Sequence, residues 1–531
     1  MKSRTRLILA IFSVLVSAAS IAVAPAKAAG EVTLSVWTFG DVIQPALLRE
    51  YKQLHPEVTL NIKKSDLDPL NGTNMVTACA AKASQSGPDI AAVEISYSGY
   101  WRSYPQCFID LRSMKSTEGG VSAADIKKDY LPWRWENGVA YNGAVIGIPT
   151  DVGGLEVAYR WDLFKKAGLP YSRDKVSAAW TTWPKFIAFG KQYMAKLTPA
   201  QRKQGIGFMD NAGAIFTAML NQGAEKYYRN DGTPEGKLVY STNPQVKSAY
   251  DTTVQALQAN IGTRVSQFSS DWNVGMNSGK FATILAPAWM MDYIKQQAPS
   301  TAGKWDIANI PGGGGNQGGT QLSIPSSGKP ENRQAAWDFI SWYLAPAQQL
   351  KVFRTYGLFP STPVLYSDPS VADFKDPFFN NAPVGAIYAE GVKQLKPLFE
   401  GKKQRAIDAA FGNALARVAL EDLLVATHRV EDLRAQPHVA DRADAFAGFG
   451  DADAVAIFFR DAARMNMRID AAIDQQHRPR LRRERRLRPR FEKAPGLRHA
   501  GARGLSSRNA QQHRSRHGCQ TPLPSPHRSP S

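Results

Sequence analysis

The central part of this chain, residues 30–419, offers little histidine for catalysis or metal binding. That part contains one histidine, His55, which stands just before Pro56 where a helix is predicted to end. A histidine in this place interacts favourably with the helix dipole, which is a structural role. Because no second histidine is available, neither a Ser-His-Asp triad nor a histidine-ligated zinc is expected. Carboxylate pairs, which hydrolyse glycosides without histidine, stay open as a catalytic alternative.

A glycine-rich stretch, residues 312–319, invites comparison with phosphate-binding loops. A P-loop continues into Gly-Lys-Ser/Thr, whose lysine and hydroxyl hold phosphate and metal. Here Gly328-Lys329 is followed by Pro330, and no G-x-G-x-x-G comes directly after the first predicted strand. We therefore interpret the stretch as a flexible loop, and we expect no nucleotide, no other cofactor and no metal.

Two cysteines, Cys79 and Cys107, are present in residues 30–419. The first falls on a predicted helix and the second enters a short predicted strand, Phe108-Ile109. In an exported protein two cysteines usually pair, so a disulfide is expected. Two buried free thiols are the alternative.

The first 29 residues have the pattern of a secretory signal peptide. Three basic residues precede an apolar stretch over residues 7–23, and Ala26-Lys27-Ala28 forms an A-x-A cleavage site. The apolar stretch is shorter than the roughly 20 residues of a membrane span, which disfavours the alternative of a transmembrane anchor. No cysteine follows the cleavage site, so we expect an exported protein without a lipid anchor.

Residues 420–531 use a different set of amino acids from the rest. They contain no Trp or Tyr and have 20 Arg against one Lys, whereas residues 30–419 hold all 12 Trp and all 18 Tyr. This composition is typical of GC-rich DNA translated in a wrong frame, and we interpret the stretch as an aberrant, disordered basic tail. An evolved basic tail that binds a polyanion through residues 478–490 is the alternative. A metal cluster of His513, His517 and Cys519 is disfavoured.

The central residues predict an α/β fold of two lobes. Their length exceeds what one core usually supports, and strands alternate with helices, which favours a mostly parallel sheet. They carry 40 Lys and Arg against 33 Asp and Glu, so much of the excess charge of +19 lies outside them and no nucleic-acid partner is expected. Strands are predicted at 32–37, 58–62 and 89–93, and helices at 41–54, 74–83, 335–343 and 347–356.

Several segments in this order resemble the extracytoplasmic solute-binding proteins of ABC sugar importers. The resemblance covers residues 31 to about 418 and ends near Val418. The segments are Ser35-Val36-Trp37-Thr38-Phe39-Gly40, Gly87-Pro88-Asp89-Ile90, Ile146-Gly147-Ile148-Pro149, Val157-Ala158-Tyr159-Arg160-Trp161-Asp162-Leu163-Phe164-Lys165-Lys166-Ala167-Gly168-Leu169, Trp180 with Trp183-Pro184, Gly279-Lys280-Phe281-Ala282 with Ala288-Trp289, Gly318-Gly319 with Leu322-Ser323-Ile324, Ala335-Ala336-Trp337-Asp338-Phe339-Ile340, and Gly357-Leu358-Phe359-Pro360-Ser361.

The resemblance implies a two-lobed periplasmic-binding-protein fold with the ligand in a cleft between the lobes. We expect residues 30–150 and 320–365 to form the N-lobe and residues 151–319 and 366–419 to form the C-lobe. Open α/β sheets bind ligands at the carboxyl ends of their strands, and aromatic rings stack on sugars while carboxylates, amides and guanidinium groups bind their hydroxyls. The expected binding residues are Trp37, Phe39, Asp41, Asp66, Asn71, Glu94, Tyr97, Asp151, Trp272 (in a loop before a helix at Gly279), Trp289, Gly319, Arg354 and Phe359.

The function implied by this resemblance is a monomeric extracytoplasmic receptor that closes around a di- or oligosaccharide and delivers it to the permease of an ABC transporter. Residues 36–41 most resemble receptors of β-linked sugars such as cello-oligosaccharides. Two alternatives stay open: a secreted enzyme that acts on glycosides through a carboxylate pair, and a receptor for a non-sugar solute such as a polyamine or an iron complex.

Overall fold

The computed structural model describes residues 30–233 and 235–427. The predicted signal peptide and the predicted tail from residue 428 onward lie outside the described residues. Within them the strands, in chain order, are β1 (Val32–Thr38), β2 (Val58–Lys64), β3 (Ile90–Glu94), β4 (Ile148–Pro149), β5 (Asp151–Val152), β6 (Leu155–Arg160), β7 (Gly207–Met209), β8 (Tyr228–Arg229), β9 (Lys237–Leu238), β10 (Phe281–Pro287), β11 (Trp305–Ala308), β12 (Thr320–Ser323) and β13 (Phe359–Pro360).

The α-helices connect these strands. None of those in the described part of the chain combines the length and apolar character needed to cross a membrane. In chain order they are α1 (Pro45–Leu54), α2 (Met75–Ala80), α3 (Ser98–Arg102), α4 (Ala123–Ile126), α5 (Pro132–Glu136), α6 (Trp161–Lys166), α7 (Arg173–Ala179), α8 (Trp183–Lys196), α9 (Pro199–Lys203), α10 (Ala214–Gln222), α11 (Pro244–Gln258), α12 (Ser270–Ser278), α13 (Met290–Gln297), α14 (Arg333–Tyr343), α15 (Pro346–Tyr356), α16 (Pro369–Ala372), α17 (Val384–Lys393) and α18 (Gln404–Thr427).

The first lobe is built on a five-stranded sheet in the order β2-β1-β3-β12-β4. Strands β2, β1 and β3 are parallel, whereas β12 runs antiparallel to β3 and β4. The apolar side chains of β1, Leu34 and Val36, are fully buried and pack with Leu322 of β12 and with Trp337 of α14. Because β1, β2 and β3 are parallel, their carboxyl ends share one edge of the sheet, and that edge faces the second lobe.

The second lobe is built on a four-stranded sheet in the order β11-β6-β10-β7. Here β6 is antiparallel to both of its neighbours, and the pair β10 and β7 is parallel. A mostly parallel sheet was too simple a prediction, because strands that begin just after a lobe crossing start at the cleft edge and run the opposite way. Ile284, Trp305 and Tyr388 belong to the core of this lobe, and none of their side chains is exposed.

The chain crosses between the lobes at three places. Residues 149–155 lead from β4 to β6, and residues 309–319 lead from β11 to β12. The third crossing is β13, which pairs antiparallel with β5. Helix α15 stands beside this crossing and contributes to both cores, with Val352 in the first lobe and Phe353 in the second. Such paired crossing strands form a compact hinge.

The glycine-rich stretch 312–319 is therefore part of a lobe crossing. Gly312, Gly313, Gly314, Gly315, Gly318 and Gly319 all have φ values between +68° and +110°, which explains the need for glycine. The stretch is tied to the second lobe, because Gln222 Nε2 donates to Pro311 O at 2.7 Å and Trp289 Nε1 donates to Gln317 O at 3.0 Å. It differs in this respect from the flexible loop that the sequence predicts.

Four local predictions need correction. Helix α1 starts at Pro45 and not at residue 41, since Gly40 with φ of +48° and residues 41–44 form a turn that reaches the cleft. The predicted strand Phe108-Ile109 is a single bridge between Phe108 and Pro325. Gly279 ends helix α12 with φ of +73° and leads into strand β10, so no helix begins there. Helix α18 also continues to Thr427, past residue 420 where the sequence predicts the tail.

Cys79 and Cys107 are joined by a disulfide in the first lobe, with their Cα atoms 5.1 Å apart. Cys79 lies on α2 and Cys107 ends a 3₁₀ turn. Their surroundings are apolar, because Trp101 and Phe108 pack beside Cys107 in a buried cluster. The crosslink therefore fastens α2 to the turn that follows α3.

Candidate functional site

A cavity of about 1000 Å³ lies between the two lobes. The first lobe contributes residues that follow the carboxyl ends of β1, β2 and β3, and the hinge contributes Thr150, Asp151 and residues 316–320. The second lobe contributes residues of α10 and α13, Phe268 just before α12, and the segment after α17. A cavity of this size is at the upper end of what small-molecule sites usually offer, which leaves room for more than one sugar-sized ring.

Seven of the thirteen binding residues expected from the sequence line this cavity. They are Phe39, Asp41, Asp66, Glu94, Asp151, Trp289 and Gly319. The carboxyl-end rule for open α/β sheets thus brings together residues that are far apart in the chain. Whether they contact a ligand remains a prediction.

Four expected residues lie away from the cavity for reasons of packing. Trp272 is fully buried on α12, and not in a loop, where its Nε1 donates to Asp210 Oδ2 at 2.9 Å. Phe359 of β13 is fully buried against the second-lobe core. Arg354 is exposed on α15 and donates to Ser370 O at 3.0 Å. Trp37 lies on β1 itself, under Lys63 Nζ at 5.1 Å from the ring centroid.

The remaining two, Asn71 and Tyr97, stand behind residues that line the cavity. Asn71 is fully buried, donates to Ala92 O at 3.1 Å and accepts from the Glu94 amide at 3.0 Å. Tyr97 donates to Asp68 at 2.8 Å and lies 5.2 Å from the guanidinium of Arg405. Their contacts give them a role in holding Glu94 and Arg405, not in lining the cavity.

One part of the cavity wall is aromatic. Trp289 and Phe268 are stacked, with centroids 6.3 Å apart and planes at 24°, and Tyr293 meets Phe268 edge to face at 5.5 Å. We call these three residues the aromatic group. Phe268 is 53% exposed and has a φ of +65°, a conformation that costs energy for residues other than glycine. Trp272 supports the group from behind, 5.2 Å from Phe268.

The hinge side of the cavity is polar and rigidly bonded. Asp151 accepts from the Thr150 hydroxyl at 2.6 Å and from the Thr320 amide at 3.0 Å, so it joins two crossings. Beneath it, Arg134 is fully buried and donates to the carbonyl oxygens of Asp151, at 2.9 Å, and of Thr320. This buried guanidinium fixes the two crossing strands relative to each other.

A second part of the wall is charged. It consists of Lys226, Glu400, Arg405 and Asp408, which we call the charged group. Arg405 forms an ion pair with Asp68 of the first lobe, and Lys226 Nζ lies 3.7 Å from Glu400 Oε1. Burial raises the pKa of Glu400 to about 7, although the Lys226 cation opposes this shift. Nearby, burial also raises the pKa of Glu94, against hydrogen bonds from Ser96 that lower it.

Sequence reasoning missed the charged group and most of the aromatic group. Lys226 follows α10, Phe268 precedes α12, and the other charged residues lie in or just before α18, so none follows the carboxyl end of a parallel strand. Phe268 and Tyr293 flank Trp289 in the chain, and an aromatic scan of residues 266–293 would have found them. Among the described residues, no group of three or more His, Cys, Asp and Glu is arranged to hold a metal ion.

Comparison with known proteins finds relatives of this chain among extracellular solute-binding proteins. A model of the bacterial extracellular solute-binding proteins matches residues 46–379. A lactose-binding protein of Rhizobium radiobacter is 27% identical over 354 residues, which are 65% of this chain and 74% of that protein. An arabinooligosaccharide-binding protein of Bacillus subtilis (strain 168) is 23% identical over 394 residues, which are 70% and 83% of the two chains.

Solved structures confirm the fold. An extracellular solute-binding protein of family 1 is 31% identical and superposes with a TM-score of 0.61, covering 74% of this chain and 95% of that one. An ABC transporter associated binding protein from B. animalis subsp. lactis Bl-04, solved in complex with β-1,6-galactobiose, is 20% identical with a TM-score of 0.59, over 75% and 97% of the two chains. The predicted two-lobed α/β fold of a periplasmic binding protein is therefore correct.

Proposed function

The chain belongs to the bacterial extracellular solute-binding proteins, and on that premise we propose that it is a receptor for a di- or oligosaccharide. It binds the sugar in the cleft between its lobes, closes around it and delivers it to the permease of an ABC transporter. The protein acts as a monomer outside the cytoplasm, after export by the signal peptide of residues 1–29, and it carries no lipid anchor.

The observation that carries this proposal is the combination of aromatic and polar side chains on one cavity wall. A sugar ring has an apolar face of C–H groups and a rim of hydroxyls. Trp289 and Phe268 offer stacking surfaces for the face, because aromatic side chains combine a large apolar area with defined geometry. Asp41, Asp151 and Glu94 line the same cavity and supply acceptors for hydroxyl hydrogens.

The three lobe crossings support closure around the ligand. Domain closure on a hinge is an established way for two-lobed proteins to bury a solute. Trp289, which lines the cavity, is bonded directly to the crossing at Gln317. A ligand stacked on this indole is thereby in contact with the part of the chain that must move.

The relatives suggest where to look for the ligand. Proteins 27% and 23% identical to this chain are named for lactose and for arabinooligosaccharides. Together with a cavity of about 1000 Å³, these names favour a neutral sugar of two or more units over a monosaccharide. We propose β-linked disaccharides as the first candidates.

The test is calorimetric titration of the purified protein with lactose, cellobiose and arabinotriose, with putrescine and ferric citrate as non-sugar solutes. The samples are then analysed by mass spectrometry for hydrolysis. Saturable binding of a sugar that is recovered intact supports the receptor. Shortened sugars in the mixture favour the carboxylate-pair enzyme, and binding of putrescine or ferric citrate alone favours the non-sugar receptor.

A further inference from the structure

The segment between α17 and the first turn of α18 lies against both lobes. We call residues 396–408 the bridging segment. On the first-lobe side, the Tyr141 hydroxyl donates to Glu400 O at 3.4 Å, and Phe399 stacks on Tyr141 with centroids 6.2 Å apart. The approach is close enough to require glycine at position 99, because a Cβ atom there would stand 2.3 Å from Glu400 O.

On the second-lobe side the same segment is held by different partners. The Lys403 amide donates to the Tyr228 hydroxyl at 3.2 Å. Eight residues later, Phe411 stacks on Tyr227 with centroids 5.6 Å apart. The backbone of the bridging segment is thus anchored without help from the Glu400 side chain.

Five side chains of the bridging segment line the cavity. Three of the charged ones, Arg405, Asp408 and Glu400, differ in whether their polar atoms have partners. Arg405 is committed to Asp68 and to the ring of Tyr97. Asp408 accepts from Gln404 Nε2 at 3.2 Å. Glu400 is only 6% exposed, and its Oε2 atom has no hydrogen-bond partner among the described residues. A buried carboxylate oxygen without a donor is costly, which calls for an explanation.

Lys226 faces Glu400 from the second lobe and pairs with it loosely. It is 4% exposed, and 3.7 Å separates its Nζ from Glu400 Oε1. That separation permits attraction but exceeds the 2.7–3.2 Å of an ordinary N–H···O hydrogen bond. An ammonium has three donors and an ionised carboxylate has about four acceptor sites. The pair therefore keeps both donor and acceptor capacity at the cavity wall.

We propose that Lys226 and Glu400 bind two neighbouring hydroxyls of the ligand, with Lys226 donating to one oxygen and the Glu400 carboxylate accepting from the other. This inference rests on the proposed function and adds a pair of specificity residues to it. Hydrogen bonds that involve a charged group are about twice as strong as neutral ones. A ligand that lacks one of the two hydroxyls leaves a buried charge unsatisfied and is rejected.

The proposal has a consequence for protons. Burial raises the pKa of Glu400 to about 7, so that near neutral pH the ligand-free protein holds a proton there part of the time. A hydroxyl that donates to the Glu400 carboxylate favours the ionised form, and binding therefore releases protons. Affinity rises between pH 6 and pH 8. The titratable or charged groups that interact with Glu400 are Lys226, Asp408, Glu94, Arg102, Tyr141, Tyr227 and Tyr228.

The first experiment uses the unmodified protein. Lactose, cellobiose and arabinotriose are titrated at pH 7 in two buffers of different ionisation enthalpy, and affinity is measured at pH 6, 7 and 8. We expect proton release on binding and an affinity that increases several-fold over this range. A sugar that binds with no proton exchange and an affinity independent of pH overturns the inference and leaves the proposed function standing.

The second experiment uses Glu400→Gln with Phe399→Leu as its matched control. Glu400→Gln is expected to raise the dissociation constant about tenfold or more and to remove its dependence on pH. Phe399→Leu weakens the anchor of the same segment and is expected to leave the dissociation constant within about threefold. Equal losses of affinity in both variants would mean that Glu400 only positions the segment.

A double variant is the control for misfolding caused by a buried charge that has lost its partner. Lys226→Met/Glu400→Gln leaves no charge unpaired at this site, and the same loss of affinity is expected from it. If the double variant binds as tightly as the unmodified protein, the pair does not contact the ligand. If the unmodified protein binds none of the three sugars, the proposed function fails and this inference fails with it.

Discussion

The aromatic group and the charged group form two parts of one cavity wall, and they are built in opposite ways. Trp289, Phe268 and Tyr293 contact one another, and Trp289 is bonded to the hinge. Lys226 belongs to the second lobe and Glu400 to the bridging segment, and their pairing is loose at 3.7 Å. The aromatic group supplies affinity through a preformed surface. The charged group, with capacity left over, is suited to choosing among ligands.

Because of this difference, variants of the two groups are expected to change sugar binding in different ways. Stacking on aromatic rings depends little on pH, and it depends less on the arrangement of hydroxyls than hydrogen bonding does. Hydrogen bonds to a buried carboxylate depend on both. Variants of the aromatic group should therefore weaken all bound sugars alike, whereas variants of the charged group should change which sugars bind and at what pH.

The largest effects are expected at two tryptophans that stand on either side of Phe268. Trp289→Ala removes a stacking surface worth roughly 1–3 kcal/mol, by analogy with bases on aromatic side chains, which is about 5- to 150-fold in dissociation constant. The free protein should melt within a few degrees of the unmodified one. Trp272→Ala is its buried counterpart and should cost about 3–5 kcal/mol of stability, because it opens a cavity and removes one of the two side-chain donors to Asp210 Oδ2, the other being Gln267.

Calorimetric titration and thermal melts of both variants test this pair. The comparison breaks down if Trp289→Ala destabilises the free protein as much as Trp272→Ala does, since Trp289 would then be a core residue. If Trp289→Ala changes neither affinity nor stability, the aromatic group is not a binding surface.

A smaller and more specific effect is expected at Phe268. Its ring lines the cavity while its backbone has a φ of +65°. Both Phe268→Ala and Phe268→Gly remove one aromatic contact, worth about 0.5–1.5 kcal/mol or about 2- to 13-fold in dissociation constant. Only glycine relieves the backbone, so Phe268→Gly should be more stable than Phe268→Ala by about 1 kcal/mol.

Chemical denaturation and sugar titration of the two variants separate the effect of the backbone conformation from the effect of the aromatic ring. Equal stabilities would show that the left-handed backbone at this position stores no energy. Affinities that differ between the two variants would show that the backbone conformation itself shapes the site.

The same contrast explains how much of the molecule was predictable from its sequence. Alternation in residues 32–37 and the Gly-Pro entry at residues 87–88 placed β1 and β3, and the carboxyl ends of those strands led to Phe39, Asp41 and Glu94. Local patterns are sufficient there because strand direction determines which residues reach the cleft. Trp272 was misplaced because its helix, at Ser270–Ser278, has a weak apolar pattern and ends at a glycine.

Local sequence patterns could not identify Glu400 as a residue of the cavity. It has no strand before it, and its position depends on Gly99, Tyr141 and Lys226, which are far away in the chain. Only the folded arrangement brings these residues together. The bridging segment also shows why the division of residues 366–419 to the C-lobe stays a prediction, since residues 396–408 contact both lobes.

A buried acid outside the cleft provides a way to separate pH effects on stability from pH effects on binding. Glu156 of β6 accepts the Ile310 amide at 2.8 Å, and burial raises its pKa from 4.5 to about 8. Between those two values the folded protein keeps a proton that the unfolded chain releases, so stability falls as the pH rises. Glu156→Gln keeps the acceptor and should match the unmodified protein at pH 4.5 while melting a few degrees higher at pH 8.5.

The control for that experiment is Glu390→Gln, an exposed residue on α17 paired with Lys393. It should leave the melting curve unchanged at every pH. Sugar affinity of Glu156→Gln should keep the pH dependence assigned to Glu400, because Glu156 does not line the cavity. If the affinity of Glu156→Gln no longer varied with pH, the group that links binding to protons would be Glu156 in the core and not Glu400 in the charged group.

The smallest effect is expected from removing residues 428–531. The two groups that form the cavity wall are complete by Asp408, and the apolar residues that anchor α18, among them Phe411 and Leu415, precede residue 420. The deleted stretch has no Trp or Tyr with which to build a second core.

The truncated protein should therefore bind the same sugar with a dissociation constant within about twofold and with the same change between pH 6 and pH 8. A tenfold loss would mean that the cleft extends beyond the bridging segment, and the division of its wall into two groups would then be incomplete. Resequencing the DNA around codon 419 tests separately whether the tail arises from a frameshift.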